Sequence, residues 1–453
     1  MADILCVTNG LPGLLYSSLE LARRLEVAGH RVVYASYPET RSVVEDHGLE
    51  FLELAPGRYD EFLESDATAG ALRRVLTLEQ RRRRAVASLA VDGFVASVRA
   101  VTPDLMLIDG ELREHIVAAS VTGVRTAMLN TFASIWRQPG LPPPHRSVRP
   151  GVGWAGSRIG TWLLWRELRF KKWRRAWRHR ITRVGCDQLS VLRALARANG
   201  FDLRRETDRS QWPIPFTFSR LPVLSLHALE FEFLTHAPEG VQYVGPMVSE
   251  HRIDPRTTPE LRAAFERVVA RCRDAEPRRT LVYAGFGSFF SSDVGFLRRL
   301  IDGVVSDGRE LIISLGGRHD PATLGPLPEG VHVFSWVPQV EVLRHADVAV
   351  VHGGANTVDE CVLAGVPMLV YCGYETDMGG NSARVVHHGL GIAGDRRRDD
   401  PVTISGHVER LLTEPRFSRT VNRFREHYAA YAERRVAERA VEGLLQGPEG
   451  PAS

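Results

Sequence analysis

The stretch from His345 to Gly391 limits the possible folds more than any other part of this chain: HADVAVVHGGANTVDECVLAGVPMLVYCGYETDMGGNSARVVHHGLG. The uncharged run Val348–Val351 ends at His352, the small residues Gly353, Gly354 and Ala355 follow, and helical character opens at Asn356 or Thr357. A strand that stops on small residues and feeds a helix leaves unpaired amides and the positive end of the helix dipole facing one point, which makes an anion site. A second unit follows at once, with Gly365, the strand Pro367–Tyr371, then Asp377 and Asn381. Two consecutive strand–loop–helix units with polar side chains at the strands' carboxyl ends call for an open α/β sheet, which binds ligands at that edge. A ligand containing a diphosphate fits the pattern.

The same rhythm organises the rest of the chain. Strand-like runs at Ile4–Val7, Arg31–Ala35, Phe51–Leu54, Leu105–Ile108 and Arg125–Leu129 alternate with helical spacing such as Leu19, Leu21, Ala22 and Leu25. It breaks over 133–215, a long excursion holding Pro139, Pro142–Pro144 and Pro150. Strand character returns at Val223–Leu226 and Val241–Val244, and the polar stretch 249–258 reads as a linker. A second series runs through Thr280–Ala284, Leu311–Leu315, Val331–Phe334, Val348–Val351 and Met368–Tyr371. At 453 residues the chain exceeds one ordinary core. The expected fold is α/β: two doubly wound, Rossmann-like domains facing a cleft. Residues 1–240 form the first domain, with the 133–215 excursion, and 241–424 the second; the tail 425–453 reads as helix packing back on the first.

Composition excludes several classes. No apolar run is long enough for a transmembrane helix, and MADILCVTNG has no basic leader. Five scattered cysteines (6, 186, 272, 361 and 372) have no metal spacing and suit a reducing cytoplasm. Between Arg158 and Arg183 ten Arg or Lys face one acid, Glu167, yet no nucleic-acid recognition motif accompanies the charge. The run Arg81–Arg84 reads as a solvated helix face.

The stretch from Trp336 to Tyr371, with TDMGGNSARVVHHGLG after it, resembles the nucleotide-sugar signature of GT-B family 1 glycosyltransferases, which include bacterial macrolide and natural-product enzymes and plant UDP-glycosyltransferases. LARRLEVAGHRV, PDLMLID at 103–109 and the FGS turn at 286–288 follow the family's order more loosely. The resemblance implies a GT-B fold and a set of roles. Trp336 would stack on the nucleobase, the Val337 backbone would read its edge, and Gln339 would sit near base and ribose. His352, Gly354, Asn356 and Thr357 would hold the diphosphate with Ser288. Glu360 would accept from the ribose hydroxyls, and Asp377 would hold sugar hydroxyls. The nucleotide-sugar is then a co-substrate, UDP- or dTDP-linked, and neither a cofactor nor a metal is expected.

Two departures from the family pattern matter. Most members carry a Gly-His pair in the loop after the first strand, whose histidine deprotonates the acceptor; here the pair is Gly13-Leu14. Asp109 matches the aspartate that steadies that histidine. Three explanations compete: Asp109, or nearby Glu111 or His115, acts as the base directly; the acceptor is an amine, carboxylate or phosphate needing little deprotonation; or the chain is a catalytically impaired partner of another enzyme. The second departure is Met378 beside Asp377, where the family has Gln, so sugar contacts shift unless Glu375 or Asn381 compensates.

In the basic segment, Trp162, Phe170, Trp173, Trp177, Ile181 and Val184 share one broad helical face. Lys171, Arg174, Arg175, Arg178 and His179 lie mostly opposite, while Arg166 and Arg180 intrude. Two readings stand: contact with a membrane surface or entry of a lipidic acceptor, or a helix packed on its own domain with an arginine-rich solvent face. The leading function is an inverting glycosyltransferase of natural-product, antibiotic-type biosynthesis acting on a small-molecule or lipid-like acceptor, expected in the cytoplasm, with membrane association through 158–183 as the added reading. A UDP-sugar 2-epimerase on the same architecture is the competing isomerase.

Overall fold

The computed structural model describes residues 1–249, 252–254, 256–287, 293–305, 309–317, 319–373 and 376–446. Five strands open the chain: β1 (Asp3–Val7), β2 (Arg31–Ser36), β3 (Glu50–Glu53), β4 (Leu105–Asp109) and β5 (Arg125–Asn130). A two-residue antiparallel pair, β6 (Thr207–Asp208) with β7 (Thr217–Phe218), sits in the excursion. The strands β8 (Val223–Ser225) and β9 (Val241–Tyr243) then complete a parallel sheet in the order β3-β2-β1-β4-β5-β8-β9. β9 pairs with β8, so the first sheet runs past the boundary expected at residue 240.

The second half repeats the design. Strands β10 (Thr280–Gly285), β11 (Arg309–Ser314), β12 (Val331–Phe334), β13 (Val348–Val351), β14 (Met368–Val370) and β15 (Gly391–Ala393) form a parallel sheet in the order β12-β11-β10-β13-β14-β15. In each sheet the strand order reverses once, between β1 and β4 and between β10 and β13, and such switch points are where open α/β sheets bind ligands. Every residue of β4 and β13 is buried, as strands covered by helices on both faces require. β15 escaped sequence reading, because three small or β-branched residues between glycines give no periodicity.

The tail divides between the domains. Helix Pro415–Glu433 buries Val421, Phe424 and Tyr428 in the second core. Arg435, with φ +51, turns the chain, and helix Val436–Gln446 packs Ala437 and Val441 beside Ile4, Leu15 and Leu21. The return to the first domain therefore starts at Val436, later than residue 425.

Polar pairs buried between the domains hold them in register. His227, just past β8, places Nδ1 2.6 Å from Asp359 Oδ2 and Nε2 2.5 Å from the Thr131 carbonyl. Burial opposes a charge on His227, but Asp359 outweighs it and holds the pKa above the ordinary 6.5. The pair's contribution is complete below that ordinary value and is lost as pH rises through the raised one. Arg384 donates to Glu232 Oε2 from Nε at 3.0 Å and Nη2 at 2.8 Å, with both side chains buried. The Gly380 amide donates to the Pro144 carbonyl at 2.8 Å, and a Cβ at Gly380 would lie 2.2 Å from that oxygen.

The excursion is largely helical. Helix Arg158–Thr182 is capped by Ser157 Oγ, which accepts from the Gly160 amide. It buries Thr161, Trp165 and Lys172 and leaves Trp162, Phe170, Trp173, Trp177 and Ile181 exposed. The reading of an inward aromatic face is thus reversed. Val184, assigned to that face, lies beyond the helix end with φ +44. Arg81 also departs from expectation: it is buried, donating Nε and Nη2 to Asp66 and Nη1 to the Arg74 carbonyl.

Replacing Arg384 by Leu strands the Glu232 carboxylate in the seam and is expected to cost about 3–5 kcal/mol. Urea unfolding of Arg384→Leu should show that loss, and adding Glu232→Leu should recover part of it.

Candidate functional site

The two switch points face one cleft. At the carboxyl end of β13, Gly353 adopts φ +85, where a Cβ would also press within 3.0 Å of Val370, so a glycine is required for the chain to turn into helix Ala355–Ala364. No side chain caps that helix and its first turn holds no acid, which leaves its amides and dipole for an anion. Asn356, in this first turn, donates Nδ2 to the Gly13 carbonyl and, at 2.7 Å, to Ser17 Oγ of the first domain. His352 is half-buried with Nδ1 3.4 Å from the Gly285 carbonyl at the end of β10. Burial holds its pKa below the ordinary value, so at neutral pH the ring offers hydrogen bonding rather than charge.

One turn along the same helix, Glu360 is embedded in a hydrogen-bond chain. Tyr283 Oη donates to Gln339 Oε1 at 2.8 Å, and Gln339 Nε2 donates to Thr357 Oγ1 at 3.3 Å and to Glu360 Oε2. Burial pushes the Glu360 pKa up, against the opposing pull of Arg252 and Gln339. Val337 is buried in the second core. Trp336, Gln339, His352, Gly354, Asn356, Thr357 and Glu360 lie on the second domain's side of the cleft. Ser288 and Glu375 lie outside the described residues.

Two arginines of the linker also reach this side. Arg252 Nη1 donates to Glu360 Oε1 at 3.0 Å, and its guanidinium stands 3.5 Å from the Tyr16 ring centroid. Arg256 lies 3.4 Å from the centroid of Trp336 and is held by a bidentate pair with Asp254, at 2.9 and 2.7 Å. A base on Trp336 takes the ring's other face or displaces this guanidinium. Sequence reasoning missed both residues, because a polar linker gives no signal of which side chains fold inward.

Past β14, Asp377 is buried and accepts from Asn381 Nδ2 at 2.9 Å, while the same amide donates to the Gly353 carbonyl at 3.0 Å. Burial raises the Asp377 pKa, with Asn381 and the His227 charge opposing. Met378, also buried, opens helix Met378–His388, in contact with Gly353 through its backbone.

Across the cleft, a cavity of about 1000 Å³ opens in the first domain and reaches Gly373 of the second. Asp109, the last residue of β4, forms part of its floor and Gly373 part of its far wall. Asp109 Oδ1 accepts the Glu111 amide at 2.8 Å, and Oδ2 is buried without a hydrogen-bond partner. Burial, followed by the opposing pull of the Glu111 amide and the like charge of Glu111, sets its pKa at about 7. Glu111 also lines the cavity and takes Asn9 Nδ2 at 3.2 Å. His115 faces away: it is buried edge-on against Phe94, ring centroids 5.0 Å apart, and does not line the cavity. Leu14 is buried in the first core, and Gly13 meets Asn356 instead of the cavity.

The long helix supplies another wall. Lys171, Arg174, Arg175, Arg178 and His179 line the cavity, so the basic face borders the site while its arginines stay solvent-exposed. Among the described residues, no group of three or more His, Cys, Asp or Glu is placed to hold a metal ion.

Asp109 carries a stability cost that its position imposes. A carboxyl whose folded pKa lies above its unfolded value loses stability as pH rises from about 4 to about 7. Asp109→Asn should therefore stabilise the protein at pH 8 by about 2–4 kcal/mol, and the gain should vanish near pH 4. Thermal or urea unfolding across that range measures it.

Residues 298–442 match the family described as erythromycin biosynthesis protein CIII-like, C-terminal domain. Demethyllactenocin mycarosyltransferase of Streptomyces fradiae is 29% identical over 217 residues, covering 47% of this chain and 45% of that protein, so the chain spans about half the length of the curated relatives it matches. The calicheamicin glycosyltransferase CalG4 shares the fold with a TM-score of 0.66 at 20% identity, over 99% of this chain and 100% of that one. The glycosyltransferase VinC, solved in complex with DTDP, gives 0.59 at 18% identity, over 97% and 100%. The fold is GT-B, and the resemblance to natural-product glycosyltransferases of family 1 is borne out.

Proposed function

We propose that this protein is an inverting glycosyltransferase that moves a sugar from a UDP- or dTDP-linked nucleotide to a hydroxyl of a small-molecule or lipid-like acceptor in natural-product biosynthesis. The observation that carries the reading is the buried, half-satisfied Asp109 carboxylate on a first-domain cavity that reaches Gly373 of the second domain. Relatives and structural neighbours named as glycosyltransferases favour it over an epimerase or an impaired partner.

The chemistry follows from position. Asp109 Oδ2, ionised above about pH 7, accepts the acceptor's hydroxyl proton. The acceptor oxygen bonds the anomeric carbon as the bond from that carbon to the diphosphate oxygen breaks. The electron pair leaves with the diphosphate towards the free first turn of helix Ala355–Ala364, whose dipole needs no metal to stabilise it. Glu360, Gln339 and Trp336 hold ribose and base, and Asp377, positioned by the buried Asn381, meets the sugar. Glu111, more exposed and hydrogen-bonded to Asn9, tunes Asp109 rather than replacing it.

Transfer assayed in EDTA with mixed UDP- and dTDP-sugars and an acceptor library should show kcat/KM rising with pH to a plateau above about 7. Asp109→Asn should lower kcat by about 10²–10⁴ while nucleotide binding persists, the range of a lost general base. Unchanged turnover in that variant removes Asp109 from the role.

The exposed stripe Trp162, Phe170, Trp173, Trp177 and Ile181, flanked by cations, supports a peripheral contact with membrane surfaces through residues 158–183. No helix among the described residues is long and apolar enough to cross a membrane. Sedimentation with phosphatidylglycerol vesicles should pellet the protein, and Trp173→Ser/Trp177→Ser should release it.

A further inference from the structure

We infer that the acceptor carries an anionic group, a carboxylate, sulfate or phosphate, at a distance from the hydroxyl that is glycosylated, and that the basic face of helix Arg158–Thr182 is its docking wall. The inference rests on the glycosyltransferase reading for the word acceptor, but its physical content is a binding preference of the cavity itself.

The helix has three faces with separate tasks. One, with Thr161, Trp165 and Lys172, is packed into the first domain. A second carries the exposed aromatics. The third, Lys171, Arg174, Arg175 and Arg178, follows the i, i+3, i+4 spacing of a single stripe and borders the cavity that Asp109 floors. Arg113 and Arg146 add to the same lining, against only Asp109 and Glu111 as acids among the described residues.

The cations are not equivalent. Lys172 is consumed structurally: its ammonium donates to the carbonyls of Arg209, Gln211 and Pro213 at 3.1, 2.7 and 2.7 Å. Lys171 and Arg146 share Glu167, at 2.7 and 2.6 Å. Arg174 and Arg178 are exposed and have no acidic partner among the described residues, although acids pair with arginines over much of this protein's surface. A row of like charges on one helix face repels itself and is tolerated where a ligand supplies the opposite charge.

The rest of the lining defines the remainder of the ligand. Phe132, Ile135, Leu168, Trp212 and Ile214 give an apolar wall. The cavity volume of about 1000 Å³ suits a large amphiphile, with an apolar body, a hydroxyl near Asp109 and an anionic end at the arginines. Guanidinium groups recognise such oxyanions through paired, charge-assisted hydrogen bonds.

The test uses the full chain and needs no nucleotide. Binding of 12-hydroxydodecanoic acid and of its methyl ester is measured by calorimetry at low and high salt. The acid should bind about tenfold more tightly than the ester, the ratio one charge-assisted hydrogen bond supplies. Salt should erase the difference. Arg174→Gln/Arg178→Gln, two exposed changes outside the packed face, should bring the acid down to the ester's affinity and leave the ester's unchanged. Equal affinity of acid and ester in the wild type, or an acid preference that survives in the double variant, overturns the inference. Titration with UDP and dTDP in parallel separates the two levels: loss of nucleotide binding would sink the transferase reading without touching the acid-over-ester result.

Discussion

Everything at the cleft depends on a seam of charged groups buried between the two domains. His227 with Asp359, and Glu232 with Arg384, take four ionisable side chains out of water at the point where the two sheets' loops meet. Such pairs add little net stability compared with apolar packing, yet they penalise any arrangement that separates the partners. That asymmetry specifies orientation. With the pairs made, the carboxyl end of β4 borders the cavity, and Asn356, just past β13, reaches Gly13 and Ser17 of the first domain. Asp359 and Glu360 are consecutive residues of one helix, so the carboxylate paired across the seam and the carboxylate in the Gln339 hydrogen-bond chain share one rigid element.

The two sides of the cleft use opposite electrostatic strategies. In the second domain the positive potential comes from backbone: a free helix terminus beside a histidine that burial keeps neutral. In the first domain it comes from side chains on one helical stripe. Between them sits Asp109, whose carboxylate is disfavoured by burial until about pH 7. A base of that strength suits proton transfer near neutrality, and its cost in stability is offset by the apolar packing of β4 around it.

What sequence could and could not disclose follows from the range of the interactions. The strands and the phosphate-type turn were legible, since runs such as Val348–Val351 and the glycines after them encode local structure. The set from Trp336 to Glu360 was legible because it lies within two neighbouring strand–helix units. Asp109 was placed correctly at a strand end, but its unpartnered Oδ2 and raised pKa arise from tertiary burial. The inward Arg81, the linker arginines 252 and 256, and the outward aromatics of the long helix were not legible. Each depends on which distant segment covers it: Asp66, Trp336 with Glu360, or the 209–213 loop that captures Lys172. Helical periodicity shows that a helix has two kinds of face; it does not say which one the domain claims.

The path of the tail has a mechanical meaning. The backbone passes from the first domain to the second through the segment after Tyr243 and comes back at Arg435, so the two bodies are joined by two covalent strands rather than one. Two fixed points define a line. Relative movement is thereby reduced from free tumbling on a tether to swinging about a single axis, and widening of the cleft becomes a motion with one dominant degree of freedom.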